Sequence, residues 1–308
     1  GMPALGLYNF GNAVLSAAGD TKRPLYYLAF AGVVNVILNL FFVIVCHLGV
    51  AGVALASMIS QFISAFLILR ALLTGKEKYC LRLSEIRFDK RKAVGILQIG
   101  IPSAFQYSLF AFANLFVQSS VNSFDHVLVE GNSAAANADP LVYDMMAAFY
   151  TACSSFIAQN FGARKKKRIL QTYLICLFYS FITSLVLGVG IYLARYPFLY
   201  LFTSDKAVVE AGITRLSIMA LSYSASAFMD ASIAASRGLG KTAVPTFVVV
   251  MGSCVFRIIW IYTIFAYFHT IQSLYILYVF SWGITAIAEN IYFFHVYRHT
   301  LTEKKELC

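Results

Sequence analysis

Nearly all charged residues in this chain lie in short clusters, and apolar stretches of about 20 to 28 residues separate the clusters. An α-helix needs about 20 residues to cross a hydrocarbon core of roughly 30 Å. Only 12% of the residues are charged, about half of the fraction usual for a soluble globular protein. The short alternating segments of a membrane β-barrel are absent from the sequence. The pattern therefore predicts an all-α polytopic membrane protein.

Apolar length and helix-breaking residues divide the chain into about nine transmembrane helices. We predict them at 1–18, 25–46, 51–73, 94–119, 134–160, 169–194, 207–236, 243–268 and 272–297. Twenty of the 24 Lys and Arg residues lie in every second connection or at the carboxyl-terminal tail. By the positive-inside rule, these connections and the carboxyl terminus are expected in the cytoplasm, where the basic clusters set the topology and contact anionic lipid.

An internal repeat and one long hydrophilic connection organise the chain. At an offset of 221 residues, identical residues recur without gaps. The pairs are Gly19 and Gly240, Thr21 and Thr242, Pro24 and Pro245, and Ser60 and Ser281. We therefore predict three regions: 1–75, the last three helices of a first lobe; 76–93, a cytoplasmic linker; and 94–308, a second lobe of six helices. A symmetric ancestor with six plus six helices would explain the repeat.

Several function classes lack their usual sequence signatures. The six cysteines are scattered without C-x-x-C spacing, and the five histidines lie at helix ends and in loops. Walker loops, zinc motifs and GxSxG elbows are absent, which disfavours an ATP-driven pump and a hydrolase. A basic soluble domain for binding nucleic acid is also missing. The sequence is therefore expected to belong to a protein that is not an enzyme and has no metal or organic cofactor.

Six segments together resemble the multidrug and toxic compound extrusion (MATE) family in its bacterial form. The segments are "YNFGNAVLSAAGDTKRP", "NVILNLFFVIVCHLGVAGVALASMISQ", "IGIPSAFQYSLF", "FIAQNFGARKKKRI", "MDASIAASRGLG" and "LYILYVFSW". The resemblance implies helices four to twelve of a twelve-helix, two-lobe fold, truncated at the amino terminus. It also implies an antiporter in the bacterial cytoplasmic membrane that exports organic cations in exchange for Na⁺ or H⁺, monomeric at full length.

The sequence departs from the family pattern at acidic positions. The fifth family helix often carries Asn followed four residues later by Asp, whereas here the pair is Asn35 and Asn39. A glutamate found in the seventh helix of other branches falls on Phe110. The resemblance therefore shifts the expected cation coupling to acids of the second lobe.

Six ionisable side chains lie within predicted spans, where charge is expensive and usually functional. They are Asp139, Asp144, Arg215, Asp230, Arg257 and Glu289. We predict that the three aspartates couple the cation, with Asp139 in the lead because it adjoins Pro140 and shares a helix face with Tyr143. Asp139 as a solvated residue at a helix start, and Asp144 in a structural ion pair, are the alternatives. Arg215 is expected to extend towards the outer headgroups.

Arg257 and Glu289 are candidates for a charge pair or gate. An Asp230–Arg257 pair would neutralise both groups, either as a structural clasp or as a gate linked to protonation. Glu289 is predicted to face the lobe interior or a partner helix. Only Arg215 and Arg257 among the arginines are placed within spans.

Uncharged polar and aromatic side chains are candidates for a substrate cavity. These candidates are Tyr8, Asn35, Asn39, Gln106, Phe110, Asn114 and Tyr143. Rings in a polar cavity attract flat organic cations. Hydrogen bonding between helices is the alternative use of the amides. We keep two alternative functions: a flippase of lipid-linked saccharides, which would need several arginines for the pyrophosphate, and a membrane receptor or scaffold without transport.

Overall fold

The computed structural model describes residues 1–74 and 80–299. Within these ranges the chain forms nine long helices. They are α1 (Met2–Ala17), α2 (Lys22–Val45), α3 (Gly49–Thr74), α4 (Lys90–Val121), α5 (His126–Gly162), α6 (Lys166–Leu193), α7 (Lys206–Gly238), α8 (Ala243–Phe268) and α9 (Ile271–His299). The eight helices after α1 are long and apolar enough to cross a membrane. The prediction of an all-α polytopic membrane protein is confirmed.

The largest difference from the predicted boundaries lies at the start of α5. This helix begins at His126 rather than at 134, because the Asp125 carboxylate accepts a hydrogen bond of 2.9 Å from the Leu128 amide and caps the end. The helix is interrupted at Asn137, and its second segment runs from Ala138 to Gly162. Asp139 therefore lies in the first turn after a break inside the helix, not at the outer start of α5.

The structure divides into two compact units, Gly1–Asp89 and Lys90–Cys308. The division falls inside the predicted linker at 76–93, of which residues 76–79 lie outside the described part. In the first unit, α1 and α2 pack against α3. The buried core of this unit contains Ala4, Tyr8, Leu15, Ala65 and Ile68.

In the second unit, α7 is the central helix and packs against α5, α6 and α9. Small residues at these contacts let the helix backbones approach closely, as in many membrane helix bundles. Gly188 of α6 shows the effect, because a Cβ atom added there would collide with the Ala220 backbone of α7. The close packing leaves α4 and α8 at the side of the bundle, where their polar residues face a cavity.

The backbone repeats at the offset that the sequence predicts. Gly19 and Gly240 both adopt positive φ angles, +92° and +78°, in the turns before α2 and α8. His47 and His269, one residue off the 221-residue offset, also adopt positive φ, 54° and 47°, in the turns before α3 and α9. Helices α2 and α8 both widen into π-helical turns near their ends. The two copies therefore share their turns and helix irregularities as well as their residues.

Candidate functional site

A cavity of about 690 Å³ lies in the second unit among α4, α5, α7, α8 and α9. Its charged lining residues are Asp139, Asp144, Asp230, Arg215, Arg237 and Arg257. Its aromatic lining residues are Tyr107, Phe110, Tyr143, Tyr150, Tyr275, Tyr278 and Trp282. The amides of Gln106, Asn114, Gln118 and Asn132 also face it. The cavity therefore combines equal numbers of acidic and basic side chains with a largely aromatic wall.

Helix α4 contributes a polar and aromatic stripe to this cavity. Gln106, Phe110, Asn114 and Gln118 are spaced by four residues, which places them on one face of a helix. The rise of 1.5 Å per residue separates Gln106 from Asn114 by about 12 Å along the helix. Successive turns of α4 therefore meet different parts of α7 and α8, and three of the predicted cavity residues lie together as proposed.

Asp139 forms an ion pair inside the second unit. Arg215 Nη2 donates to its Oδ2 at 2.7 Å, and the Tyr223 hydroxyl donates to its Oδ1 at 2.5 Å. The side chains of Arg215 and Asp139 are 6% and 25% exposed. The expected extension of Arg215 towards the headgroups is therefore wrong, and so is the solvated alternative for Asp139. A carboxylate at a helix amino terminus also gains from the helix dipole.

Arg257 lies under two aromatic rings rather than beside an acid. Its guanidinium carbon is 5.1 Å from the Phe110 ring centroid and 4.5 Å from that of Tyr278. Nη1 donates to Asn114 Oδ1 at 2.9 Å, and Nε donates to Ser281 Oγ at 3.4 Å. The ion pairs among the described residues do not include Arg257.

The predicted Asp230–Arg257 pair is therefore wrong, because Arg257 turns towards α4 and α9. Asp230 lines the same cavity but interacts electrostatically with Arg237 instead. Asp144 also lines the cavity. Among the described residues, neither aspartate accepts a hydrogen bond at its side chain.

Arg237 occupies the last turn of α7 and reaches back into the cavity. Nη1 donates to the Tyr150 hydroxyl at 2.7 Å, and Nη2 donates to Gln106 Oε1 at 2.8 Å. The charge of Arg237 acts on the carboxylates of Asp230 and Glu289. Arg237 is one of the twenty basic residues that the charge pattern assigns to cytoplasmic connections, so this role was not predicted. Helical spacing was the available signal, since Arg237 lies seven residues after Asp230 on the same face.

Glu289 is fully buried and lies outside the cavity lining. Neither carboxylate oxygen has a hydrogen-bond partner within the described residues. Its neighbours one turn away on α9, Ala286 and Phe293, belong to apolar clusters. The predicted charge pair for Glu289 is therefore not present as a salt bridge in the described structure, whereas its expected position in the lobe interior is correct.

Three predicted cavity residues belong to the first unit and make local hydrogen bonds there. The Tyr8 hydroxyl donates to the Pro24 carbonyl at 3.0 Å. Asn39 Nδ2 donates to Asn35 Oδ1 at 3.0 Å, and Asn35 Nδ2 donates to Ser60 Oγ at 3.3 Å. The Asn35–Ser60 bond agrees with the alternative in which the amides connect helices, whereas the Asn39–Asn35 bond lies within α2. The second-unit cavity does not contain them.

Tyr223, Tyr278 and Trp282 are aromatic residues of the site that were not predicted from the sequence. Tyr143 meets Trp282 edge-on at 6.1 Å and Tyr223 edge-on at 5.8 Å between ring centroids. Tyr278 lies 5.4 Å from Trp282. The four-residue spacing of Tyr278 and Trp282 in "LYILYVFSW" indicated a shared face. The pattern did not indicate that this face is turned to the cavity.

The family model described as MatE matches residues 102–263, more than half of the chain. The chain belongs to the MatE family. The resemblance found in the sequence is thus confirmed, and the matched residues include all six charged residues that line the cavity. The chain is accordingly a multi-pass membrane protein of this family, with eight candidate spans among its described residues.

The relatives and solved structures agree with this membership. The chain is 33% identical over 163 residues to "Probable multidrug resistance protein YpnP" of Bacillus subtilis, covering 53% of this chain and 36% of that protein. It is 24% identical to "Probable multidrug resistance protein NorM" of Thermotoga maritima, covering 76% and 51%. The structure matches an outward-facing multidrug resistance MATE family transporter with a TM-score of 0.88 at 20% identity, covering 96% and 66%. That likeness shows the fold, and the chain spans about half or less of the length of these two relatives.

Proposed function

We propose that the protein is a secondary active antiporter that exports small organic cations in exchange for Na⁺ or H⁺ by alternating access. The observation that carries the proposal is a membrane-embedded cavity in which three aspartates meet an aromatic wall. Its volume of about 690 Å³ suits a drug-sized molecule. Family membership and the names of the relatives support the same function. We place the protein in the bacterial cytoplasmic membrane as a monomer with a cytoplasmic carboxyl terminus.

Aromatic rings and carboxylates would divide the recognition of an organic cation. The faces of Tyr143, Tyr278 and Trp282 offer apolar area and attract positive charge. Asp144 and Asp230 supply negative charge without a hydrogen-bond donor among the described residues. A flat cation that contacts both groups would gain apolar burial and charge neutralisation together.

The coupling ion acts by competition for the same carboxylates. Binding of Na⁺ or H⁺ neutralises an aspartate, weakens its attraction for the organic cation, and so favours release outside. The ion must bind the two conformations with different affinities, because equal binding would shift nothing. Asp230 and Asp144 are available for this exchange, whereas Asp139 must first separate from Arg215 and Tyr223. We therefore propose Asp230 and Asp144 as the acids that exchange ions first and Asp139 as the acid that changes partners during the conformational cycle.

The test is ion-driven uptake in liposomes that hold the protein expressed from its complete gene. A fluorescent organic cation is added under an imposed Na⁺ or pH gradient, and the gradient that drives accumulation identifies the ion. We expect Asp230→Asn and Asp139→Asn each to reduce the driven rate by at least about tenfold, since each removes a charge worth about 1.4 kcal/mol or more to coupling.

Glu130→Gln is the matched control, because Glu130 is a half-exposed acid outside the cavity. It is expected to retain the rate of the unaltered protein. Full retained uptake in both aspartate variants would contradict the coupling assignment. Ligand binding with no gradient-driven accumulation in the unaltered protein would favour the receptor alternative.

One observation favours a second candidate function, a flippase of lipid-linked saccharides. Three arginines line the cavity, one more than the sequence placed within spans. Several guanidinium groups would suit a pyrophosphate. Each of Arg215 and Arg237 already interacts with a carboxylate, however, which leaves Arg257 as the one strong candidate for a phosphate among the cavity arginines of the described residues.

A further inference from the structure

We propose that Arg257 and Asn114 form a binding site for an anionic group, a carboxylate or a phosphate, carried by an aromatic substrate. That this ligand is a transported substrate rests on the proposed function. The anion site itself rests on the geometry of α4, α8 and α9. Besides its acids, the cavity then contains a cationic group that selects organic molecules by their negative charge.

The charge of Arg257 is buried without an opposite charge beside it. The side chain is only 1% exposed and lies near the middle of α8, a membrane span. Its hydrogen-bond acceptors in the described structure, Asn114 and Ser281, are both neutral. A cation in this environment is expensive unless a partner compensates it. A bound anion would supply that compensation.

The other two arginines of the cavity differ in this respect. Arg215 forms an ion pair of 2.7 Å with Asp139. Arg237 interacts electrostatically with Asp230 and Glu289. The charge of Arg215 is therefore balanced by an ion pair, and that of Arg237 acts on two acids with which it forms no ion pair among the described residues. Arg257 instead contacts two aromatic rings. Their cation–π attraction holds the guanidinium plane in place, but the rings carry no net negative charge.

The guanidinium is also presented in a fixed orientation with donors to spare. The Phe110 and Tyr278 rings, together with the bonds from Nη1 and Nε, hold it in place. Within the described structure, Nη2 makes no hydrogen bond and is not among the buried unpaired atoms. The Asn114 Nδ2 group, next to the acceptor Oδ1, likewise donates to no described residue. Two adjacent donors that face a cavity suit the oxygens of a carboxylate or phosphate.

The surrounding rings indicate the rest of the ligand. Tyr278 lies against the guanidinium and its ring centroid is 5.4 Å from that of Trp282, which Tyr143 in turn meets edge-on. An aromatic ring attached to the anionic group would pack against this cluster. A positive group elsewhere on the same molecule would be free to contact Asp144 or Asp230. The site therefore fits an aromatic zwitterion as well as an aromatic anion.

The test compares two dyes that differ only in their negative charge. Rhodamine B carries a free carboxylate, and its ethyl ester has the same cationic ring system without it. Binding of each to the purified protein in nanodiscs is followed by fluorescence anisotropy. We expect rhodamine B to bind about tenfold more tightly than the ester, as one charge-assisted hydrogen bond would produce.

Arg257→Gln is expected to remove this preference by weakening rhodamine B binding while leaving the ester nearly unchanged. Arg257→Lys should retain part of the preference, and a thermal unfolding curve of each variant checks its fold. Arg168→Gln is the control, because Arg168 is an exposed arginine of the basic cluster outside the cavity. Equal affinity of the unaltered protein for the two dyes would overturn the proposal, and so would an equal loss for both dyes in folded Arg257→Gln.

Two further arms separate this proposal from the antiport function and distinguish the sources of the anion. Gradient-driven uptake of the ester tests antiport alone, so its absence together with an intact carboxylate preference would reject antiport and leave the anion site standing. Displacement of rhodamine B by phenyl phosphate would support a small soluble ligand. Displacement by a polyprenyl diphosphate and not by phenyl phosphate would support the anion site as part of a lipid-linked substrate.

Discussion

The two copies of the repeat use the same serine in different chemistry. In the first unit, Ser60 of α3 accepts a hydrogen bond of 3.3 Å from the Asn35 amide of α2. In the second unit, Ser281 of α9 accepts one of 3.4 Å from the Arg257 guanidinium of α8. The serines are 221 residues apart and equivalent in the repeat. The backbone scaffold is thus shared, whereas the charge is present in the second copy alone.

This difference shows what a membrane helix pair needs before it can hold a charge. The neutral Asn39 amide donates one local bond of 3.0 Å to the Asn35 amide oxygen, and its own Oδ1 stays without a partner among the described residues. The guanidinium of Arg257 requires the Phe110 ring and the Asn114 amide of α4 as well as two helices of the repeat. Charge in the second unit therefore depends on enclosure by an additional helix, since an isolated helix pair offers too few partners.

The largest expected effect that tests this dependence comes from the ion pair of the second unit. Asp139→Ala leaves the Arg215 guanidinium buried without its anion and is expected to cost about 3–5 kcal/mol of stability. Asn35→Ala in the first unit removes only neutral hydrogen bonds and should cost about 1 kcal/mol. Unfolding in mixed micelles with increasing dodecyl sulfate, followed by circular dichroism, measures both.

The double variant Asp139→Ala with Arg215→Leu is the control for the ion pair. It removes both charges and should recover most of the lost stability. A cost for Asp139→Ala no larger than that for Asn35→Ala would mean that enclosure in the second unit does not govern the charge.

A smaller effect is expected at the glycine turns, where the two copies should behave alike. Gly19→Ala and Gly240→Ala each place a Cβ atom on a backbone with positive φ, at a cost of about 1–2 kcal/mol. Open space surrounds both positions among the described residues, so only backbone strain contributes. The same unfolding assay should give equal costs. Gly6→Ala is the control, because Gly6 is a helical glycine with equally open space, and it is expected to show no loss of stability. Clearly different costs for Gly19→Ala and Gly240→Ala would show that the two turns are alike only in geometry.

The smallest effect sharpens the contrast at the paired serines. Ser281→Ala removes an acceptor from a guanidinium, whereas Ser60→Ala removes one from an amide. Hydrogen bonds to charged groups contribute about 1 kcal/mol more than neutral ones. We therefore expect Ser281→Ala to cost about 1 kcal/mol more than Ser60→Ala in the unfolding assay. Ser281→Cys and Ser60→Cys are the control variants, because cysteine is similar in size to serine. Equal costs for the two alanine variants would show that Ser281 does not stabilise the Arg257 guanidinium measurably.

The fold could be predicted well because its determinants are local along the chain. Apolar length and loop charge placed the nine helices, and most ends lie within a few residues of the prediction. The start of α5 was missed because polar residues interrupt the apolar pattern over 126–133, whereas the capping Asp125 carboxylate still begins a helix there. Membrane helices satisfy their backbone internally, so each span is recorded in its own residues.

The candidate site could be predicted only in part. Gln106, Phe110, Asn114 and Tyr143 were recognised as cavity residues, and all four line the cavity with the three aspartates. The partners of the charges were predicted incorrectly, because Asp139 pairs with Arg215 across 76 positions and Arg257 bonds to Asn114 across 143. Spacing along one helix contains no information about which neighbouring helix faces it.

The sequence by itself determined the number of helices, the expected topology, the internal repeat and the family. These properties follow from hydrophobic length, loop charge and local turn residues, and each of them acts over tens of residues at most. Only the tertiary structure decided that Asp139 is neutralised by Arg215, that Arg237 reaches the cavity, and that Arg257 lies under two rings without an acid. Electrostatic and aromatic contacts act through space, so the packing of separate helices had to be known before the partners of these charges could be assigned.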